Sequence, residues 1–159
     1  ALTTVKNVTV SNMNYGIKVD YSNEVVLENV DITAGVAALL NSNYGEKTIT
    51  IKDSKLNILG TWVRNNTIET TYLFEGANTV GQWIIDAAID NFKLALGTTV
   101  TAPNDITATA TEAGYTVKYD GVKYYVAANM VKVLDVANNE VGTYASIAEA
   151  LAAAQGWHL

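Results

Sequence analysis

The residues that could do acid–base or nucleophilic chemistry are few in this chain. His158 is the single histidine and lies one residue from the end of the sequence, where chains commonly fray. A general base needs a fixed neighbour, so we do not expect His158 to be catalytic. One terminal histidine also excludes a Ser-His-Asp arrangement elsewhere. The absence of cysteine excludes thiolate nucleophiles and cysteine-type zinc sites.

Paired carboxylates offer the remaining route to catalysis. Asp86 and Asp90 are four residues apart and would share one face of a helix, and glycoside hydrolysis needs two carboxylates at a defined separation. We expect both to be solvated side chains beside an apolar stripe. The stretches 19–24 and 135–140 each hold an Asp and a Glu, four and five residues apart, without the spacing or glycine of a calcium loop. The sequence therefore predicts no catalytic residue, no metal and no cofactor.

The charge pattern limits the partners of the chain. The net charge is −6, and the ten cations are nine lysines and Arg64, spread without a basic run. Nucleic-acid binding needs a concentrated positive face, so we expect no nucleic-acid partner, and acidic sugars are disfavoured by the net charge. The longest apolar runs, such as 35–40 and 150–154, are far shorter than the ~20 residues of a membrane helix. We expect no membrane insertion.

Short strand-like bursts recur through the first half of the chain. They begin at Val8, Val25 and Ile49, with a looser fourth burst at Tyr72, so the intervals are 17, 24 and 23 residues. Each is rich in Val, Ile and Thr and ends in a polar corner containing Asn or Asp, residues that tolerate turns. A degenerate period of this size is typical of stacked coils that bury one face against their neighbours. The pattern predicts a parallel β-helix, with the 17-residue interval as an irregular rung.

The stretch "KNVTVSNMNYGIKVDYSNEVVLENVDI" places an Asn-ended strand, a "GIKV" strand and a second Asn-ended strand in order. This arrangement resembles the right-handed β-helices of pectin-lyase-like proteins, and the loose resemblance covers about half of the chain. It implies a mainly β fold made of degenerate coils. The alternative is an antiparallel β-sandwich with an appended α/β piece, in which the same Asn-rich corners are hairpins.

Residues 81–97 fit two structures. Apolar residues from Ile85 to Leu96 recur at spacings of three and four, which favours an amphipathic helix ended by Gly97. The same segment also contains "IID" and "FKLAL", which fit the strands of another coil. The periodicity leans towards the helix and leaves the strands open.

The pattern changes after a polar stretch that contains Pro103, the only proline. Asp120-Gly121 between two alternating strands is a strong hairpin pattern, and a second hairpin is expected around Asn138 and Asn139. Ser146 can cap a following helix while Glu149 reaches back to the cap, and a helix of about ten residues must dock to be stable. We therefore divide the chain into a β-helix-like domain, 1–112, and a C-terminal unit of hairpins and a short capping helix, 113–159.

Aromatic side chains suggest a binding surface. Exposed aromatic faces stack on sugar rings and are common at interfaces, and the chain has nine tyrosines and three tryptophans. We take Trp62 and Tyr72 as the candidate glycan-binding residues. Most of the other aromatic residues are expected to pack within the strands.

The string from 131 to 154, "VKVLDVANNEVGTYASIAEALAAA", is similar to a pattern in large repetitive surface proteins of gut bacteria. The resemblance implies that the helix covers an open end of a coil stack. It also implies a non-catalytic structural or adhesive module of an exported cell-surface protein, located outside the cell. A polysaccharide or host glycan is then the expected partner, with self-association through the β-helix ends. The alternative is a glycan-binding module or a fragment of a carbohydrate-active enzyme. Ala1 at the start suggests a processed product or a piece of a longer chain.

Overall fold

The computed structural model describes residues 2–42, 46–62, 69–86, 92–103, 106, 108–129, 131–144 and 146–154, with the backbone alone at 42, 62, 85 and 86. The chain is mainly β, with about four solenoid turns, a separate antiparallel hairpin and one short helix. The strands are β1 (Leu2–Val19), β2 (Glu24–Ser42), β3 (Lys47–Lys52), β4 (Lys55–Trp62), β5 (Thr70–Glu75), β6 (Thr79–Asp86), β7 (Phe92–Leu94), β8 (Thr99–Thr101), β9 (Thr109–Ala110), β10 (Tyr115–Tyr119), β11 (Lys123–Ala128), β12 (Val131–Leu134) and β13 (Glu140–Tyr144), and the helix is α1 (Ile147–Ala154).

The solenoid consists of two parallel columns of strands. In the first column, the start of β2 pairs with β3, β3 with β5, β5 with β7 and β7 with β9. In the second column, the later part of β2 pairs with β4, β4 with β6 and β6 with β8. The long strand β1 pairs with β2 through both columns. The prediction of a parallel β-helix is confirmed, and the antiparallel sandwich is wrong because every pair in these columns is parallel.

The core follows from the alternation of side chains along each strand. Successive residues of a strand point to opposite faces, and Ile49 and Ile51 of β3 are fully buried while Thr50 between them is partly exposed. Neighbouring coils place Val25 and Tyr72 beside Ile49 in the register. Burying each large apolar side chain contributes about 1.5–3 kcal/mol, so every added coil extends one continuous core.

The strand register shows that the first coil has a regular length, unlike the 17-residue interval that the sequence suggested. Val25, Ile49 and Tyr72 are direct partners in the first column, as their spacing predicts. Val25 pairs on its other side with Thr3, whereas Val8 pairs with Val30 further along the coil. The 17-residue interval therefore compared two different positions in the coil, and the first coil is offset by 22 residues from the second.

The described parts of 81–97 form strands and a turn, so a single helix from Ile85 to Leu96 is wrong, while residues 87–91 lie outside the described residues. β6 continues to Asp86, and β7 begins at Phe92. Pairing of β6 with β4 and of β7 with β5 satisfies the backbone, and this tertiary pairing overrides the local spacing of three and four. Gly97 follows in a turn with a left-handed φ of 89°.

Both C-terminal hairpins form where the sequence predicts them. β10 and β11 flank Asp120-Gly121, and β11 also pairs antiparallel with β8, so this hairpin extends the solenoid sheet. β12 and β13 form a separate two-stranded sheet around Asn138, which has a φ of 64°. The boundary at 112/113 stays a prediction.

The helix α1 begins after Ser146, whose Oγ accepts a hydrogen bond from the backbone N–H of Glu149 at 3.2 Å. It packs on β12 and β13. Within α1, Ala150 is buried, while Ile147 and Leu151 are exposed. The role of α1 as a cap of the coil stack stays a prediction.

Candidate functional site

Left-handed residues form one corner of the solenoid. Asn7, Asn29, Asp53 and Gly76 have φ values of 55°, 51°, 47° and 78°. Asn, Asp and Gly are the residues that adopt this conformation most readily. The recurring polar corners of the sequence therefore mark the positions where the chain passes from the first column to the second.

Polar side chains join these corners from coil to coil. The amide nitrogen of Asn29 donates to the Oδ1 of Asn7 at 2.8 Å. One residue further along, Ser54 Oγ accepts from the N–H of Val30 at 3.1 Å, and the N–H of Ser54 donates to Asn78 Oδ1 at 2.9 Å. Buried backbone groups must find partners, so these side chains complete the hydrogen bonding of the corner and are structural.

The outward side of the first column carries alternating charges. Lys6, Glu28, Lys52 and Glu75 are consecutive partners in the register. Lys6 contacts Glu28 at 2.7 Å and Lys52 contacts Glu75 at 2.6 Å. A slip of the register would separate these ion pairs, so this row favours one alignment of the coils.

A groove on the second column is lined mostly by apolar residues. This apolar groove has a volume of about 350 Å³ and is lined by Tyr15, Val36, Ala37, Leu40, Gly60, Thr61 and Ile84. Leu40, Gly60 and Ile84 are successive partners in the register. Because Gly60 has no side chain, the row between the two aliphatic residues is interrupted and a depression remains.

The rim of the apolar groove is open to solvent. Tyr15, Val36 and Ile84 are 49%, 47% and 43% exposed. Tyr15 lies on β1 and pairs with Ala37, so its ring stands at one side of the depression. An aromatic ring beside an aliphatic floor can stack on the apolar face of a sugar ring while its hydroxyl group remains in water.

Tyr72 is not on this surface. Its side chain is fully buried, and its ring packs against Phe92 at 4.8 Å and Trp83 at 5.8 Å between centroids. Its hydroxyl group lies 3.2 Å from Thr61 Oγ1, and burial raises the pKa of this phenol far above its ordinary value of 10. The prediction of glycan contact required an exposed ring, so Tyr72 does not fit it. Trp62 contributes its backbone to β4, and its side chain lies outside the described residues.

No protein-family model, curated protein or solved structure matches this chain. The resemblances to pectin-lyase-like β-helices and to bacterial surface repeats therefore rest on the residues quoted for them. In the part of the chain that the structure describes, no helix is long and apolar enough to cross a membrane.

The carboxylates considered for catalysis are not brought together by the described structure. Asp86 ends β6 with only its backbone described, and Asp90, Arg64 and His158 lie outside the described residues. Asp86 therefore belongs to a strand, where the helical i, i+4 geometry does not apply.

The two stretches that were compared with calcium loops, 19–24 and 135–140, form turns and ion pairs. Asp135 Oδ1 accepts from the N–H groups of Ala137 and Asn139, and hydrogen bonds from Asn139 lower the pKa of Asp135. In the stretch 19–24, Asp20 pairs with Lys18 at 3.0 Å. No group of three or more His, Asp or Glu side chains among the described residues could hold a metal ion.

Sequence reasoning missed the apolar groove and a buried lysine. Lys47 is 2% exposed, and its Nζ donates to the carbonyl oxygens of Asp20 and Ser22. Burial lowers the pKa of Lys47, and the charge of Asp20 opposes this effect. The alternation offered a clue, since Lys47 has the same parity as Ile49 and Ile51. Lys47 thus fixes the segment that joins β1 to β2.

Proposed function

We propose that this chain is a non-catalytic structural or adhesive module of an exported bacterial cell-surface protein, acting outside the cell. The observation that carries the proposal is the use of polar side chains at the corners. They join successive coils instead of converging on a reaction centre. A stack of this kind provides length and rigidity, since each coil contacts its neighbours through a continuous core.

The adhesive part of the proposal rests on the apolar groove. Its exposed Tyr15 and its open depression at Gly60 suit a neutral sugar ring of a polysaccharide or host glycan. This assignment replaces Tyr72, whose ring is buried, and leaves Trp62 as a prediction.

The test is binding of the purified chain to immobilised polysaccharides and host glycans, with the supernatant checked for released oligosaccharides. We expect retention without release. Tyr15→Ala should weaken binding about two- to tenfold, the range expected for loss of one aromatic contact. Gly60→Ala should partly fill the depression and weaken binding without unfolding, because the new Cβ lies 3.3 Å from the flexible end of Leu40.

Tyr21→Ala is the matched control, since Tyr21 is 77% exposed and does not line the groove. Binding that is unchanged in both the Tyr15 and Gly60 variants would reject the groove as the adhesive surface. Release of new reducing ends or unsaturated sugars would instead support the enzyme-fragment alternative.

A second proposal is self-association through the end of the solenoid. β1 is an 18-residue strand that, within the described residues, pairs only with β2. Exposed Leu2 and Met13 lie on it. An unpaired edge of this length is a template for another strand, so the mass in solution should rise with concentration. A constant monomer mass over the accessible concentration range would remove this proposal.

A further inference from the structure

A polar depression of about 180 Å³ lies at the far end of the second column, away from the edge strand β1. Two lysines and three threonines contribute to its lining, together with the turn that contains Asn78; the side chains concerned are Lys55, Thr79, Thr99, Thr101 and Lys123. We call it the lysine pocket. Tyr15, Gly60 and the other residues of the apolar groove do not line it.

The register brings the lysines and threonines together. Lys55 pairs with Thr79, Thr79 with Thr101 and Thr101 with Lys123, so the four residues form one row across β4, β6, β8 and β11. Adjacent strands are about 4.8 Å apart, which places the two lysines at opposite ends of a row with hydroxyl groups between them. Thr99 adds a third hydroxyl on the same face, two residues before Thr101.

Neither ammonium group of the lysine pocket is in a direct ion pair with the described residues. Neither Lys55 nor Lys123 has an ion pair within 4 Å in the described part of the chain, whereas five other lysines do, namely Lys6, Lys18, Lys52, Lys93 and Lys132. The lining contains no carboxylate. Asp31 pairs with Lys55 in the register on the side away from Thr79. Asp120 Oδ1 accepts the N–H groups of Lys123 and Val122, and these hydrogen bonds together with the charge of Lys123 lower the pKa of Asp120.

The floor of the lysine pocket is held in place by hydrogen bonds. Asn78 Oδ1 accepts from the N–H of Ser54, and its amide nitrogen donates to the carbonyl of Glu75. The N–H groups of Thr79 and Thr101 donate to the carbonyls of Ser54 and Asn78. The threonine hydroxyl groups therefore project from fixed backbone positions, which reduces the ordering that a ligand would require.

We propose that the lysine pocket binds an oxyanion, that is, the carboxylate, sulfate or phosphate group of a small ligand. Two ammonium groups without a direct ion pair to the described residues, and three hydroxyl groups, supply the donors that such a group needs. The net charge of −6 repels anions at long range, but at physiological salt this field is screened over about 8 Å. At contact distance, the interaction with an anion is therefore governed by the groups that line the pocket. This inference goes beyond the proposed function and does not depend on the apolar groove.

The test is titration of the full chain with inorganic phosphate, inorganic sulfate and glucuronate, with glucose as the neutral counterpart of glucuronate. Binding is measured by calorimetry and by the NMR shifts of the lysine ammonium groups. We expect at least one anion to bind, glucose not to bind at this pocket, and affinity to fall as salt rises. Tighter binding of glucuronate than of the inorganic ions would identify a sugar carboxylate as the ligand group. The reverse order would identify a free oxyanion.

Lys55→Gln and Lys123→Gln should each weaken anion binding about threefold to tenfold, and the double variant should abolish it. Lys118→Gln is the control, because it makes the same change in net charge and does not line the pocket. Retention of glycans through Tyr15 should be unaffected by the double variant, so failure of this proposal is distinguishable from failure of the proposed function. Absence of binding by all three anions, or equal weakening by Lys118→Gln, would overturn it.

Discussion

Replacement of Tyr72 by Phe tests the packing of the solenoid core through its pH dependence. The phenol is fully buried and lies 3.2 Å from Thr61 Oγ1. At neutral pH the variant loses this hydrogen bond, so the free energy of unfolding should fall by about 1 kcal/mol. The ring itself keeps its contacts with Trp83 and Phe92.

The order of stability should reverse at alkaline pH. Burial raises the pKa of Tyr72 in the folded state, while the unfolded chain keeps a pKa near 10. As pH rises through 10, the unfolded wild-type chain loses this proton and the folded chain keeps it, so stability is lost. At pH 11 this effect costs the wild type about 1.4 kcal/mol, and the Phe variant does not have it. The variant should then be equal to the wild type or slightly more stable.

Urea denaturation followed by circular dichroism at pH 7, 9 and 11 measures the effect. Other titrating groups, including buried Lys47, are common to both proteins and cancel in the difference. Tyr21→Phe is the control for loss of a phenol hydroxyl group at an exposed position. A constant difference between Tyr72→Phe and the wild type at all three pH values would refute the burial of this phenol and the core built around it.

Three further changes test the corners, the close packing of coils and the edge. Asn29→Ala should lower the free energy of unfolding by about 2 kcal/mol in urea denaturation, because alanine is strained at a left-handed φ and the hydrogen bond to Asn7 is lost. Asn29→Gly should lower it less, and equal losses would contradict the backbone contribution. Gly81→Ala should lower the urea midpoint strongly, since its Cβ would lie 2.6 Å from a backbone oxygen. Gly60→Ala should be tolerated. Similar midpoints for the two variants would argue against the close approach of coils at Gly81. Met13→Lys should reduce association in sedimentation experiments if β1 is the contact edge, and an unchanged mass distribution would exclude this part of the edge.

Much of the fold could be predicted because the coil repeats a simple local pattern. Alternation and polar corners correctly aligned Val25, Ile49 and Tyr72, and Asp120-Gly121 correctly located a hairpin. The start of the first coil could not be predicted, since "VTVSNM" has the same local pattern as a first-column strand but pairs in the second part of the coil. Local alternation does not say which column a strand joins.

The candidate surfaces were harder to predict because they depend on register. The apolar groove arises where Gly60 falls between Leu40 and Ile84 in the register. These three residues come from three successive coils. The burial of Tyr72 likewise depends on Trp83 from the other column of the same coil and on Phe92 from the next coil. Residue types alone identified aromatic candidates but did not separate core rings from surface rings.

Corner side chains and outward-facing side chains have different roles, so binding can be tested without unfolding the solenoid. Corner side chains such as Asn29 and Ser54 satisfy backbone groups or other corner residues, so changing them affects the stacking of coils. Outward positions such as Tyr15, Lys55 and Lys123 are not needed for these hydrogen bonds and project from strands that are already paired on the backbone. Substitutions at outward positions should therefore alter affinity while the free energy of unfolding stays within about 0.5 kcal/mol of the wild type. If affinity and stability changed together at these positions, the outward faces would be part of the structure that holds the coils together, and neither surface could be assigned to binding.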